Sequence, residues 1–150
     1  VGYLNDPAAT RTAIRDGWYH SGDAGYVDEE GYLFIVDRMK DMIVTGGENV
    51  SASEVENVIA QHGDVIQVAV VGARDDVWGE RVHAFVVVGE KSALDAAAIR
   101  EFCRDRLTGY KCPRTVTIQS QGLPLSAVGK VRKDLLRASL NQEARDPTIC

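Results

Sequence analysis

Five consecutive apolar positions, Tyr32, Leu33, Phe34, Ile35 and Val36, follow a polar turn at residues 28–31. That pattern predicts a strand pairing with Tyr26 and Val27 as a β-hairpin. The stretch DRMKDMIVTGGEN (37–49) breaks at Gly46 and Gly47, where a sharp turn is expected. A capping box, Ser53 with Glu56, precedes the helical stripe Val55, Val58 and Ile59, and Ser51 with Glu54 offers a second box a half-turn earlier. Gly63 is a natural stop. VIQVAVVG (65–72) and RVHAFVVV (81–88) are apolar enough to be mostly buried strands, separated by the polar loop ARDDVWGE with its one tryptophan. Ile99, Phe102, Cys103 and Leu107 mark a second amphipathic helix that starts near Asp95 and closes at Gly109. TVTI (115–118) is a short third strand, followed by a polar loop and a last helix over about 132–140. The order is hairpin, helix, strand, strand, helix, strand, helix. It predicts an α+β fold, a small sandwich with a three-stranded sheet flanked by helices.

Composition narrows the function classes. The 150 residues suit one domain with room for part of a second, and 45% hydrophobic with 26% charged residues is ordinary for a globular chain. A net charge of −5 speaks against a nucleic-acid binder, which needs a broad basic surface. The acidity is uneven: between Cys103 and Arg145 nine Lys/Arg face three Asp/Glu. No apolar run is long enough for a membrane span, and the first residues lack a signal-peptide pattern. Cys103, Cys112 and Cys150 form no CxxC pair and read as free cytosolic thiols. His20, His62 and His83 are scattered, so no metal site is expected. The opening at Val1, without a methionine, reads as a piece of something longer.

One lysine draws attention. Lys130 follows Gly129 in PLSAVGKVRKDLLR, just ahead of the basic last helix. A phosphate-binding P-loop does not fit, because Gly122 lies too far upstream and Val131 replaces the magnesium-binding hydroxyl. TGGEN is not the dinucleotide-binding GxGxxG, and Ser21 beside His20 is adjacency without a triad. Spacing alone leaves a globular α+β module with a basic C-terminal third.

Four stretches change that picture: GYLNDPAAT (2–10), GWYHSGD (17–23), DRMKDMIVTGGENVSASEVE (37–56) and PLSAVGK (124–130). In this order and spacing they resemble the adenylate-forming enzymes, most of all the acyl-CoA and aryl-CoA synthetases. The resemblance implies that residues 1–37 are the last strands of a large N-terminal domain, 38–40 a hinge and 41–150 a mobile C-terminal domain. ATP, magnesium and the carboxylic acid, a fatty acid by preference, would be held mainly by the large domain upstream. CoA would be the cosubstrate, and the partners would be small molecules and the chain's own N-terminal domain. A cytoplasmic place is implied, free or peripheral at a membrane.

Each residue carries a role by this resemblance. Asp23 would accept hydrogen bonds from the ribose hydroxyls, as an acceptor-only carboxylate suits; its plain alternative is a turn residue. Arg38 would contact ribose or phosphate, or else pair with Asp37 or Asp41. Lys40 falls on the hinge, where a solvated residue can change φ and ψ at little cost. Gly46, Gly47, Glu48 and Asn49 would line the pantetheine channel, and glycines permit close backbone approach. Trp78 would stand beside that channel, or simply pack on the surface. Lys111, Arg114, Arg132 and Lys133 read as solvated charges within reach of CoA phosphates. Lys130 would bring its ammonium to the carboxylate and α-phosphate during adenylation, where negative charge develops. The chain departs from the family at Leu125-Ser126, where Arg-Asn is usual, and IQSQGLP lacks the usual acidic residue. Two rivals share the resemblance: a ligase or peptide-synthetase adenylation domain loading a carrier protein, and a non-catalytic interaction module.

Overall fold

Asp28 closes the first predicted hairpin: its Oδ1 accepts from the backbone N–H of Glu30 (3.0 Å) and Tyr32 (2.8 Å). Such an Asx turn is the reason an aspartate opens this reversal. In the computed structural model, which describes residues 2–143, the hairpin joins β3 (Asp23–Val27) to β4 (Leu33–Arg38), with Tyr26 opposite Phe34 and Val27 opposite Leu33. Before it come α1 (Pro7–Ala13) and a two-residue pair, β1 (Ile14–Arg15) with β2 (Trp18–Tyr19); β2 lies in residues 17–37, which read as β-structure in the sequence, whereas α1 and β1 were not announced. Asp6 caps α1 by accepting from Ala9 N–H at 2.8 Å.

The chain divides into two compact units between Lys40 and Asp41. No residue among 2–40 is buried, and Trp18, Tyr26, Leu33, Phe34, Ile35 and Val36 are all exposed.

The second unit opens with the 3-10 turn Met39–Asp41, which carries over from the first, and then β5 (Ile43–Thr45), β6 (Glu48–Val50) and α2 (Ala52–Ile59). Next come β7 (Val65–Asp75), β8 (Gly79–Val88), α3 (Ala96–Arg104), the turn Gly109–Lys111, β9 (Thr115–Gln119) and α4 (Lys133–Glu143). The three expected strands are present as β7, β8 and β9, and the α+β class stands. The sheet has five strands, however, because the short β5–β6 hairpin joins it in the order β6-β5-β8-β7. β9 runs parallel to β8, from His83 opposite Thr115 to Val87 opposite Gln119.

Alternation along β7 and β8 sends side chains to two cores. Val70, Val82, Ala84 and Val86 meet Val55, Ile59, Ile99 and Cys103 from α2 and α3. Ala69, Val71, Phe85 and Val87 meet Leu123 and, from α4, Leu136. Both faces being covered explains why the two long strands read as continuous apolar runs rather than alternating ones. Ser51, not Ser53, caps α2, its Oγ accepting from Glu54 N–H at 3.3 Å. Glu56 is thereby free of the box and reaches Val70 N–H at 2.7 Å. Helix α2 ends at Ile59, ahead of the expected stop at Gly63, and α3 ends at Arg104, several residues before Gly109. Asp95 caps α3 where the pattern placed it, accepting from Ala98 N–H at 2.8 Å.

Candidate functional site

Asp23 and Arg38 are register partners at the open end of the β3–β4 hairpin. Arg38 Nε lies 2.9 Å from Asp23 Oδ1, and its Nη1 donates to Ser21 O at 3.1 Å. The arginine's carboxylate partner is therefore Asp23; Asp37 takes the Arg38 backbone N–H instead, at 2.7 Å. The two candidate nucleotide-binding residues form one polar end, an acceptor pair beside a guanidinium. Both side chains keep contact with solvent, so the pair itself adds little stability.

Lys40 is exposed in the Met39–Asp41 turn, at the boundary of the two units. The next residue, Asp41, accepts from Arg137 Nη2 of α4 at 2.9 Å.

The channel candidates meet at one corner of the five-stranded sheet. Gly46 (φ +59°) and Gly47 (φ +86°) make the β5–β6 reversal, a two-residue turn that needs positive φ at both positions. Gly46 donates its N–H to Trp78 O at 3.0 Å, and Trp78 sits in the β7–β8 turn. Its indole lies on Gly46 so closely that a Cβ there would come within 2.7 Å of a ring carbon. Asp75 Oδ1 shapes the second turn by accepting from Val77 and Trp78 N–H, both at 3.0 Å. Those two N–H groups hold the Asp75 carboxyl below its ordinary pKa. Arg114, just before β9, lays its guanidinium over the Trp78 ring at 4.7 Å. Glu48 and Asn49 follow on β6, both exposed. The corner thus offers a half-exposed aromatic plane, a cation and a Cβ-free backbone side by side.

Lys130 sits at the tip of a small hairpin at residues 124–132. Ser126 organises it: its N–H donates to Lys130 O (2.7 Å), its carbonyl accepts from Gly129 N–H (2.9 Å), and its Oγ accepts from Lys130 N–H (3.1 Å). Gly129 has φ +77°, a conformation that L side chains rarely adopt. A bridge between Leu125 and Val131 and a 2.8 Å bond from Arg132 N–H to Pro124 O close the base.

The surrounding cations are nearly all engaged. Lys111 grips Glu54 through both carboxylate oxygens (2.7 and 2.8 Å), a bond that raises its pKa. Lys133 pairs with Glu56 at 2.7 Å, Arg132 with Asp134 at 2.6 Å and Arg104 with Glu101. Arg106 covers the Phe102 ring at 3.8 Å. Among the described residues from Cys103 onward, Lys130 is the cation with no ion pair, side-chain hydrogen bond or ring contact. Its side chain is exposed.

Remaining titratable groups lie apart from these places. His83 is 4% exposed, with Nδ1 2.7 Å from Thr115 Oγ1 and Nε2 3.1 Å from Thr117 Oγ1. Burial, helped by the nearby Arg81 charge, lowers its pKa to about 4. Cys103 is buried, which pushes its thiol up to about 11, and Cys112 is likewise raised. In both, burial outweighs a nearby arginine, Arg106 for Cys103 and Arg104 for Cys112, so neither thiol has the lowered pKa of a reactive thiolate. Cys150 lies outside the described residues. Among the described residues no group of three or more His, Cys, Asp or Glu side chains is arranged to hold a metal ion, so these side chains do not fit a magnesium site. Nor is any described helix long and apolar enough to cross a membrane.

Sequence reasoning gave no particular role to Arg114, and did not foresee that Glu56 meets Val70 N–H and Lys133 or that Gln67 Oε1 accepts Leu123 N–H. A cation–aromatic contact across 36 positions leaves no local signal, and the Glu56 of an apparent capping box masks its other use.

Comparison with known proteins identifies the family. The family description "AMP-binding enzyme C-terminal domain" matches residues 54–130. Over 136 residues the chain is 43% identical to a 2-succinylbenzoate–CoA ligase of Listeria monocytogenes, covering 91% of this chain and 28% of that protein. It is 45% identical over 135 residues to a long-chain-fatty-acid–CoA ligase of Mycobacterium tuberculosis, covering 90% and 26%. The crystal structure of ATP-bound MatB from Rhodopseudomonas palustris superposes with a TM-score of 0.82 at 35% identity, over 92% of this chain and 27% of that one. The chain thus spans a little over a quarter of the length of the curated relatives it matches. By its sequence, its sheet and its helices, the chain belongs to the C-terminal domain family of the AMP-binding, adenylate-forming enzymes.

Proposed function

We propose that this chain supplies the mobile C-terminal domain, and the segment leading into it, of an ATP-dependent acid–CoA ligase. The acid belongs to the aryl or fatty carboxylic acids, the two classes named among its relatives. In the first half-reaction the carboxylate oxygen attacks the α-phosphorus of ATP and pyrophosphate leaves. Lys130 supplies positive charge as the phosphorus becomes pentacoordinate. A preorganised charge helps most where charge develops. At about 4 Å and an effective dielectric near 20, a unit-charge contact is worth on the order of 4 kcal/mol. Asp23 and Arg38 hold the ribose side of the nucleotide.

In the second half-reaction the domain turns about Lys40, withdrawing Lys130 and presenting the corner of Gly46, Gly47, Glu48, Asn49 and Trp78. The pantetheine thiol attacks the acyl carbon, the thiol proton is lost and AMP leaves with the phosphate oxygen. Trp78 and Arg114 offer a ring face and a cation to the nucleotide end of CoA, and Cβ-free Gly46 lets its arm pass. One small domain so serves two reactions by turns. Magnesium belongs with the ATP phosphates and the large domain, and no step here is assigned to it.

The observation that carries this reading is the isolation of Lys130: among the described residues its neighbours in the basic third are paired, and it stands unpaired on a shaped tip. Exposed apolar strands in residues 2–40, with nothing buried among them, support a place against further protein. The test is acid-dependent AMP release by the full-length protein, with free CoA or a phosphopantetheinylated carrier protein as acceptor. Thioester on free CoA is expected, while turnover with the carrier alone would move the chain to the carrier-loading branch. Residues 1–150 by themselves are expected to give no ATP–pyrophosphate exchange, and measurable exchange would contradict the division of labour.

A further inference from the structure

An exposed ammonium is useful only if its stalk delivers it to one place, and both feet of the Lys130 hairpin are tied to other elements. At the entry, Leu123 is buried and its N–H donates to Gln67 Oε1 at 3.1 Å. Gln67 is aimed there by an irregularity of β7: the register with β8 shifts between Val65 and Gln67, leaving Ile66 unpaired and exposed. A bulge of this kind re-aims the side chains beside it.

At the exit, Lys133 is the first residue of α4 and its Nζ lies 2.7 Å from Glu56 Oε1. That oxygen also accepts Val70 N–H at 2.7 Å, on the free edge of β7. The two side chains are 17% and 22% exposed, well shielded from solvent. One glutamate therefore ties α2, the sheet edge and the foot of the lysine arm together.

We propose that Gln67 and Glu56 are positioning residues for Lys130, pinning the two feet of its hairpin so that the ammonium arrives at a fixed reach. The inference rests on the reading of Lys130 as the adenylation charge. Neither residue touches substrate; each acts through the arm. Losing a foot leaves the arm folded but spreads the ammonium over a larger volume, and misplacement of about 1 Å can cost up to about a hundredfold in rate.

The test uses the full-length ligase and reads the half-reactions separately, by ATP–pyrophosphate exchange and by thioester formation from supplied acyl-adenylate. Gln67→Leu removes the acceptor at similar size, Gln67→Glu keeps an oxygen for Leu123 N–H, and Glu56→Gln keeps the Val70 bond but discharges the partner of Lys133. Gln67→Leu and Glu56→Gln are expected to slow adenylation by about tenfold to a hundredfold, with thioesterification unchanged and Gln67→Glu restoring most of the rate. Parallel loss of both half-reactions, tracking the thermal midpoint, would make these residues merely structural and overturn the proposal. Lys130→Ala in the same assay separates the two levels. If it slows adenylation while Gln67→Leu and Glu56→Gln do not, the pinning is wrong and the lysine reading stands; if it leaves adenylation intact, both fall. Should Gln67→Leu fail to fold, Glu56→Gln, which keeps the buried bond to the sheet edge, decides the question.

Discussion

At the lysine hairpin the candidate group is, among the described residues, the one left without a side-chain partner, whereas at the glycine–tryptophan corner the candidates hold one another. Lys130 projects from a tip whose backbone is closed by Ser126. Trp78 is seated on Gly46, tied to Asp75 through its N–H and covered by Arg114. The proposed roles account for the difference. A charge meant to stabilise a transition state must not be spent on a resident carboxylate, and in that reading the neighbours are paired off while Lys130 is not. A surface that receives a long, flexible cosubstrate benefits from being set beforehand, because each group ordered on binding subtracts from affinity. The contrast gives definite expectations for substitutions.

The largest effect is expected at the arm. Lys130→Ala in the full-length protein should lower the acid-dependent AMP-forming rate by roughly 10²–10³-fold, by analogy with removal of one preorganised donor. Its thermal midpoint should stay put, since the exposed side chain has no ion pair or side-chain hydrogen bond among the described residues; a lower midpoint would show that the lysine is structural after all.

Acid should weaken the sheet that carries both. His83 is buried on β8 between Thr115 and Thr117 of β9, and its folded pKa of about 4 is below the ordinary 6.5. The unfolded chain therefore binds the extra proton first. The stability held by neutral His83 is complete above about pH 6.5 and is lost as pH falls towards 4, by about 3 kcal/mol. Denaturant unfolding across that range should show the slope, and His83→Gln should flatten it.

Gly46→Ala attacks the corner alone. It adds a Cβ against the Trp78 ring at a φ of +59°, so a cost of about 1–3 kcal/mol in stability is expected. Thioesterification should suffer more than adenylation. The smallest effect belongs to Arg114→Gln. An exposed cation–π contact is worth about 0.5–1 kcal/mol, so CoA-dependent turnover should change only a few-fold and pyrophosphate exchange not at all.

Much of this was readable in the chain, and what was not has physical reasons. β7 and β8 announced themselves because a strand buried on both faces must be continuously apolar, and Asp95 marked the start of α3 by its side-chain acceptor. The β5–β6 hairpin escaped because its strands are three residues long and its pairing with β8 rests on a single register pair, Thr45 opposite Gly79. Ser51 and Ser53 compete for one cap, and only the fold shows that Glu56 is needed at the sheet edge. For the candidate site, motif resemblance named Asp23, Arg38, Gly46, Trp78 and Lys130. It could not pair Asp23 with Arg38 or Gly46 with Trp78, since those contacts cross 15 and 32 positions of chain. Lys111, Arg132 and Lys133 looked like free charge in sequence, yet each has a carboxylate partner within 2.8 Å.

The division of labour between arm and corner is tested most directly by a crossed measurement of the two half-reactions. In the full-length protein, Lys130→Ala should abolish most ATP–pyrophosphate exchange while leaving thioester formation from supplied acyl-adenylate intact, and Trp78→Ala should do the reverse. If either substitution depressed both half-reactions equally, without loss of fold, the two places would not be serving separate steps and the account would be wrong.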